Sequence, residues 1–273
     1  MTKEYERNTP DILEPPDPLA TLVYKITHSM DTEKIFLLGT YTANPPQLGI
    51  EYDLLVLVKD DDNRPMHEFE SLIDNRTHDM APVEVSIYKL SKVNEMLTKG
   101  NYFFWQSCTQ NKLIYDRNRV ALAHPPCPVL PPPQQLAAVH KPLYDKAAGF
   151  MEGALSYCEA GNFQLAAFML HQSVEHGLNS MLEPLMGFRY QTHNLHKLFK
   201  YIRRFNIEIF HLFPRDTDRE VILFKLLQKA YIHARYKNNY VIDKNHVIEL
   251  LERVQLLLER IKIKYAEIIR PIV

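Results

Sequence analysis

Two carboxylates, Glu51 and Asp53, stand two residues apart at the start of an apolar run, residues 54–58. Residues two apart in a β-strand point to the same face of the sheet, so both carboxylates would share one face. Gly39 and Thr40 follow an earlier strand-like run, and glycine permits a turn that brings backbone close to a phosphate. Clustered carboxylates are what metal-assisted transfer from a nucleoside triphosphate needs.

A third carboxylate is expected from a neighbouring strand, and Glu84 in residues 83–85 is the candidate. The pattern predicts Glu51, Asp53 and Glu84 as ligands of a divalent metal ion and as the catalytic carboxylates of nucleotidyl transfer. Gly39 and Thr40 would contact the triphosphate through a backbone N–H group and a hydroxyl. The structural alternative is that the carboxylates are ordinary acids at a strand edge.

Elements of two kinds surround these residues. The first 120 residues alternate short runs rich in β-branched or aliphatic residues with helical runs, which predicts a small mixed α/β sheet domain over residues 17–120. The expected strands are residues 35–38, 54–58, 83–88 and 112–115, and the expected helices are residues 19–29, 66–75 and 91–97.

A proline-rich run then interrupts the chain, and residues 121–133 are predicted to be a semi-rigid linker. Apolar residues recur at spacings of three and four beyond it, which predicts an all-α helical bundle over residues 134–270. Its expected helices are residues 134–160, 163–186, 194–204, 216–239 and 243–269, with caps at Asn162, Asp216 and Asp243.

The N-terminal spacing resembles a known fingerprint. Gly39-Thr40, ten residues and Glu51-x-Asp53 are similar to the Gly-Ser and Asp-x-Asp pattern of minimal DNA-polymerase-β-like nucleotidyltransferases, over residues 17–116. The resemblance implies ATP or another nucleoside triphosphate as substrate and Mg²⁺ at the carboxylates. Thr and Glu replace the usual Ser and first Asp, and the extra methylene of Glu51 bears on the strict octahedral geometry of Mg²⁺.

The C-terminal half resembles the HEPN family of helical domains, often paired with minimal nucleotidyltransferases. The matching residues are His171-Gln172 with Glu175, the segment 192–195, and Arg235 late in the bundle. Active HEPN ribonucleases carry a His shortly after the Arg, and here Tyr240 stands in its place.

A tyrosine rarely serves as a general base near neutral pH, so the resemblance implies binding rather than cleavage. Arg235 would contact phosphate, and Tyr236 or Tyr240 would stack on a base. The structural alternative is that His171 and Glu175 form a core pair and that Arg235 holds a helix end.

Composition narrows the function further. The chain has 32 basic and 33 acidic residues, a net charge of -1, which argues against bulk non-specific binding of nucleic acid.

A basic aromatic stretch is formed by Tyr190, Lys200, Arg203 and Arg204. It is interpreted as a solvated helix face or as a surface for an acidic substrate or nucleic acid. Three cysteines without metal or redox spacing, and no long apolar run, predict a cytoplasmic protein without membrane contact.

The favoured function is transfer of a nucleoside monophosphate to a hydroxyl of a small molecule, an RNA or a protein tyrosine, with the HEPN-like bundle binding substrate or nucleotide. One alternative is a non-catalytic nucleotide-binding or interaction module. Another is a ribonuclease toxin fused to its regulator, against which the missing His counts. A homodimer formed through the apolar stripe of the last helix is a further expectation.

Overall fold

The computed structural model describes residues 17–43, 46–62, 64–123, 131–236 and 240–269, so most of the predicted linker lies outside the described residues. The described chain forms a mixed α/β domain followed by a helical bundle. Among the described helices, none combines the length and the apolar character needed to cross a membrane.

The first domain is a four-stranded sheet in the order β3-β2-β1-β4, with β2 and β3 parallel and the other pairs antiparallel. Its strands and helices fall close to the predicted ranges. In chain order they are α1 (Pro18–Ser29), β1 (Thr32–Thr42), β2 (Ile50–Val58), α2 (Met66–Thr77), β3 (Val83–Lys89), α3 (Leu90–Thr98), α4 (Tyr102–Ser107) and β4 (Leu113–Asp116).

Strand β2 is buried along most of its length because both faces of the sheet are covered. Tyr52, Leu54 and Val56 belong to a core that includes α1 and α2 residues. Leu55 and Leu57 belong to a second core on the opposite face. Strand alternation places Glu51 and Asp53 on the same face as Leu55 and Leu57.

The predicted turn at Gly39 is wrong. Strand β1 continues through Gly39 to Thr42 and pairs with β2, with Gly39 opposite Asp53 and Thr40 opposite Tyr52. Thr40 to Thr42 are β-branched and aromatic residues that favour an extended chain, so the hairpin lengthens past the glycine.

The bundle consists of α5 (Pro133–Glu159), α6 (Phe163–Met186), α7 (Leu195–Arg203), α8 (Ile207–Phe210), α9 (Asp218–Tyr236) and α10 (Lys244–Ile269). The five predicted helices are present within a few residues of their expected ends. Helices α4 and α8 were not predicted because six and four residues are too few to show a helical period.

Two of the three predicted caps of the bundle form. The Asn162 side chain accepts from the N–H of Leu165, and the Asp243 carboxylate accepts from the N–H of His246. The predicted cap at Asp216 is wrong, because α9 begins at Asp218 and Thr217 and Glu220 make the reciprocal bonds of a capping box.

The apolar stripe of α10 faces its own bundle. Its members are buried among α5, α6 and α9 side chains: Val247, Leu250, Leu251, Val254, Leu257, Leu258 and Ile261. The stripe is therefore not a surface through which two copies could meet.

The bundle packs on the sheet face that carries Glu51 and Asp53. Met186 is buried in the core of this face, and Phe188, Tyr190 and Phe205 pack against it. Gly187 ends α6 with φ 75°, and a Cβ there would lie 2.6 Å from Nδ2 of Asn101, which donates to the Met186 carbonyl. Glycine lets α6 end in close contact with α4.

Candidate functional site

Three acidic side chains meet the bundle at the buried face of the sheet. Glu51 and Asp53 lie on β2, and Glu84 lies on β3 directly beside Asp53 in the parallel register. All three are buried, and Asp53 has no exposed surface. A buried carboxylate is costly unless an opposite charge and hydrogen bonds compensate it.

One turn at the end of α7 supplies that compensation for Asp53. Nε of Arg204 is 2.8 Å from Oδ2 of Asp53, and NH2 of Arg204 is 2.6 Å from Oδ1. The planar guanidinium therefore binds both carboxylate oxygens at once, which is the strongest geometry for such a pair.

Glu51 is held by two cations of the same helix. Nζ of Lys200 is 2.6 Å from Oε1, and NH1 of Arg203 is 2.6 Å from Oε2. The same Lys200 nitrogen is 2.8 Å from Oε2 of Glu84, so it bridges carboxylates of two neighbouring strands. We call Glu51, Asp53, Glu84, Lys200, Arg203 and Arg204 the interface cluster.

The ion pairs shift the pKa values of Glu51 and Lys200 toward their charged forms. Burial alone would raise the pKa of Glu51, but hydrogen bonds and charges from Arg203 and Lys200 outweigh it and lower the pKa. Burial alone would lower the pKa of Lys200, but the charges of Glu84 and Glu51 raise it. Glu51 and Lys200 therefore each stabilise the charged form of the other.

Aromatic rings cover the arginines of this region. The Arg203 guanidinium lies 3.8 Å from the ring centroid of Tyr41, and the Arg215 guanidinium lies 4.6 Å from that of Phe224. NH1 of Arg215 is 2.5 Å from Nδ1 of His196. Burial, helped by the charge of Lys200, lowers the pKa of His196 to about 3, so its neutral ring can accept from Arg215.

The interpretation of Lys200, Arg203 and Arg204 as a solvated helix face is wrong. The Arg203 side chain is 1% exposed and the Arg204 side chain 5%. The burial of these cations could have been predicted from the sequence. In α7 they alternate with the apolar residues Leu198, Phe199 and Ile202, so the basic face must lie beside the core.

The donor set does not fit Mg²⁺ in this arrangement of the two domains. Both oxygens of Glu51 and both of Asp53 contact cations, and Lys200 stands between Glu51 and Glu84. A divalent ion there would face three positive charges of α7. In the described part of the chain, no group of three or more His, Cys, Asp or Glu side chains is placed to hold a metal ion.

The predicted phosphate contacts are separated by the sheet. Gly39 pairs with Asp53 and shares the carboxylate face, but Thr40 pairs with Tyr52 and points to the other face. Above Gly39 lies the Tyr41 side chain, whose hydroxyl would be 2.9 Å from a Cβ at that position. The two residues therefore do not converge on one phosphate.

A cavity of about 330 Å³ lies between the sheet and the bundle, next to the interface cluster. The rings of Tyr190 and Tyr201 stack there with centroids 4.0 Å apart, and the hydroxyls of Tyr88 and Tyr190 are 3.1 Å apart. Arg189 and Lys197 also line the cavity. The sequence analysis named Tyr190 as part of a surface for an acidic substrate, but it did not predict the cavity, because the walls come from segments about 100 residues apart.

A second polar group lies within the bundle. Nδ1 of His193 is 2.9 Å from Oε2 of Glu175, and the His193 ring stacks on Tyr231 with centroids 4.1 Å apart. Nδ1 of His171 is 3.9 Å from the same Glu175 oxygen. Glu175 is buried, whereas the His193 side chain is 55% exposed. We call His171, Glu175, His193 and Tyr231 the histidine cluster.

Helix α9 anchors the segment that carries His193. Oε1 of Gln228 accepts from the N–H of Leu195 at 2.7 Å, and Nε2 of Gln228 donates to the His193 carbonyl at 3.3 Å. Arg235 follows Tyr231 by four residues on α9. The side chains of Arg235 and Tyr236 lie outside the described residues.

Tyr240 is placed in the core rather than at a ligand surface. It is buried, and its hydroxyl donates to the Leu226 carbonyl at 3.0 Å. Its ring therefore offers no exposed face on which a base could stack in this structure.

The helical bundle matches a known protein family. Residues 140–264 match the HEPN domain family, so the chain contains a HEPN domain that includes both the histidine cluster and α7. The match does not extend to the N-terminal sheet. No curated protein shows a significant match to the chain.

Proposed function

We propose that this protein is a non-catalytic nucleotide-binding module that holds its ligand in the cavity between the sheet and the HEPN domain. The observation that carries the proposal is the wall of that cavity, where a stacked tyrosine pair stands beside basic side chains. The nucleotidyltransferase-like ancestry suggested by the N-terminal spacing agrees with a nucleotide as ligand.

The cavity matches the chemistry of a nucleotide. Its volume of about 330 Å³ lies in the range of small-molecule sites. The aromatic wall offers the partly exposed ring of Tyr190 as a surface for a base, with the buried ring of Tyr201 stacked behind it. Stacking contributes about 1–3 kcal/mol per base. Arg189 can bind a phosphate, and Lys197 can do so by exchanging its ion pair with Glu70, which also lines the cavity, for the phosphate.

The interface cluster is the reason that we propose nucleotide binding without nucleotidyl transfer. Nucleotidyl transfer needs metal ions that bridge the triphosphate and the attacking oxygen. Glu51, Asp53 and Glu84, the residues predicted to hold those ions, instead bind the cations of α7. The alternative hypothesis is transfer of a nucleoside monophosphate to a small molecule, an RNA or a protein tyrosine. Experiments should therefore test binding and transfer separately.

Calorimetric titration with ATP, GTP, CTP and UTP tests the binding. We expect at least one nucleotide to bind, and Tyr190→Ala to weaken its affinity about tenfold or more through loss of stacking. Lys197→Gln, at a partly exposed position, provides a second variant that is expected to fold and to bind the same triphosphate more weakly, because one positive charge beside the cavity is lost.

The matched control is Tyr24→Ala, which removes an exposed tyrosine of α1. Its affinity should equal that of the wild type. Absence of binding for all four nucleotides, or unchanged affinity in both cavity variants, would contradict the proposal.

Transfer is tested with ATP labelled at the α-phosphate, incubated with Mg²⁺ and a cell extract. We expect no labelled product. A product that forms with the wild type and disappears with Asp53→Asn would restore the transferase hypothesis.

A second candidate function, cleavage of RNA, is favoured by the contact between His193 and Glu175. Glu175 would orient the ring so that Nε2 removes the proton of an RNA 2′-hydroxyl. The 2′-oxygen would bond to phosphorus, and the 5′-oxygen would leave and take a proton from water. His193 would then return its proton to solvent.

The products of that reaction are a 2′,3′-cyclic phosphate and a 5′-hydroxyl. Cleavage of a labelled single-stranded RNA in the presence of EDTA, abolished by His193→Ala and reduced by Glu175→Gln, would support this function. If the wild type leaves the RNA intact, or if His193→Ala cleaves it equally well, the RNA-cleavage hypothesis is contradicted.

A further inference from the structure

We infer that Lys200, Arg203 and Arg204 occupy the places of divalent cations, so that this chain supplies its own counter-ions to the carboxylates of β2 and β3. The inference concerns the interface cluster alone and does not depend on nucleotide binding in the cavity.

The position of the Lys200 ammonium is the first support. A single nitrogen lies 2.6 Å from Glu51 and 2.8 Å from Glu84, on two neighbouring parallel strands. A metal ion that joined these strands would lie between the same two oxygens, with bonds of about 2.0–2.1 Å for Mg²⁺. The ammonium therefore stands where such an ion would bridge.

The balance of charge is the second support. Three buried carboxylates are matched by three cations, and each carboxylate has at least one cation within 2.8 Å. Two divalent ions would supply one positive charge more than the three side chains do. The cluster therefore reaches neutrality with the protein's own groups.

The spacing on α7 is the third support. Positions 200, 203 and 204 are three and four apart, which places all of them on one helix face. That face continues to Lys197 and Tyr201, which line the cavity. One helix thus presents the substituting charges to the sheet and forms a wall of the cavity.

The inference predicts that a metal site can be uncovered. In the double variant Lys200→Ala/Arg204→Ala, Asp53, Glu84 and one oxygen of Glu51 lose their cations and lie buried with excess negative charge. We expect this variant to bind Mn²⁺ about tenfold or more tightly than the wild type, because a hard cation relieves that charge. Titration followed by electron paramagnetic resonance measures the free ion.

Two controls locate the new site. Lys197→Ala/Arg189→Ala removes one lysine and one arginine beside the cavity and leaves the interface cluster intact, so its Mn²⁺ affinity should stay at the wild-type level. Adding Asp53→Asn to the first double variant should abolish the gained binding.

Several outcomes would overturn the inference. One is Asp53-dependent Mn²⁺ binding by the wild type, and another is an equal gain in the control variant. A folded Lys200→Ala/Arg204→Ala protein, or its more conservative form Lys200→Met/Arg204→Gln, without gained binding would do the same.

If neither variant folds, thermal unfolding of the wild-type protein tests the inference. Its thermal midpoint should be the same in EDTA and in saturating Mg²⁺, because the cluster needs no added cation. A midpoint that rises with Mg²⁺ in the wild type but not in Asp53→Asn would show that a metal ion binds the carboxylates after all.

Discussion

The interface cluster and the histidine cluster are both built around buried carboxylates, yet they differ in what meets those carboxylates. In the interface cluster each carboxylate contacts cations of α7, and the charges are enclosed between two domains. In the histidine cluster the carboxylate of Glu175 contacts His193, whose side chain is half exposed.

The two clusters differ in whether their polar groups are enclosed or open to solvent. A buried charge network in which every carboxylate contacts a cation fixes one arrangement of the elements it joins, and each carboxylate depends on its cation. A buried acid that orients an exposed imidazole leaves one face of the ring for a ligand. By this criterion the interface cluster fixes how the sheet and the bundle pack, and the histidine cluster is where the RNA-cleavage hypothesis would place its chemistry.

The largest expected effect comes from removing the most buried carboxylate. Asp53→Ala leaves the Arg204 guanidinium buried without its bidentate partner. We expect the free energy of unfolding to fall by about 3–5 kcal/mol, the usual cost of breaking a buried pair. Denaturant unfolding followed by circular dichroism measures it.

Two comparisons test the cause. Asp53→Ala/Arg204→Ala should recover part of the loss, because the stranded charge is gone. Asp79→Ala, which breaks a surface pair with Lys25, should change stability little. Equal losses in Asp53→Ala and Asp79→Ala would mean that burial at the interface does not matter.

A smaller effect is expected from pH. The pKa of His196 falls from its ordinary 6.5 to about 3 in the folded protein, so only the unfolded chain takes up a proton between those values. Stability is therefore complete above pH 6.5 and is lost as pH falls, by about 2 kcal/mol at about pH 5.

Glu51 acts in the same direction at lower pH. Its pKa is lowered by folding, so its contribution is present above its ordinary value of 4.5 and is lost as pH falls through the lowered value. Unfolding curves across the acid range measure both effects. His196→Gln should flatten the profile between pH 6.5 and 5, and an unchanged slope would refute the role of this histidine.

The smallest effect on stability is expected in the histidine cluster. His193→Ala removes a side chain that is 55% exposed, and the buried Glu175 keeps His171 and Gln172 as neighbours. The free energy of unfolding should therefore fall by about 1–2 kcal/mol, the usual cost of leaving one buried polar group without its main partner. Thermal unfolding of this variant beside Asp53→Ala gives the direct contrast. A loss as large as that of Asp53→Ala would mean that the histidine cluster is structural.

Much of the secondary structure could be predicted because its signal is local. The alternation of β2, the three-and-four spacing of α10 and the caps at Asn162 and Asp243 each depend on a few neighbouring residues. The turn expected at Gly39 was not found, because pairing with β2 outweighs the local freedom of glycine. Strand pairing joins residues that are distant along the chain.

In the candidate site, too, local features could be predicted from the sequence and contacts between distant residues could not. The sequence alone determined that Glu51 and Asp53 share a sheet face, that a helical bundle follows, and that this bundle resembles HEPN. Which groups face the carboxylates depends on the packing of the bundle on the sheet, because Arg204 lies about 150 residues from Asp53 and no local pattern links them. Burial then gave the positive residues of α7 a partner, since charges enclosed between two domains are stable only in pairs.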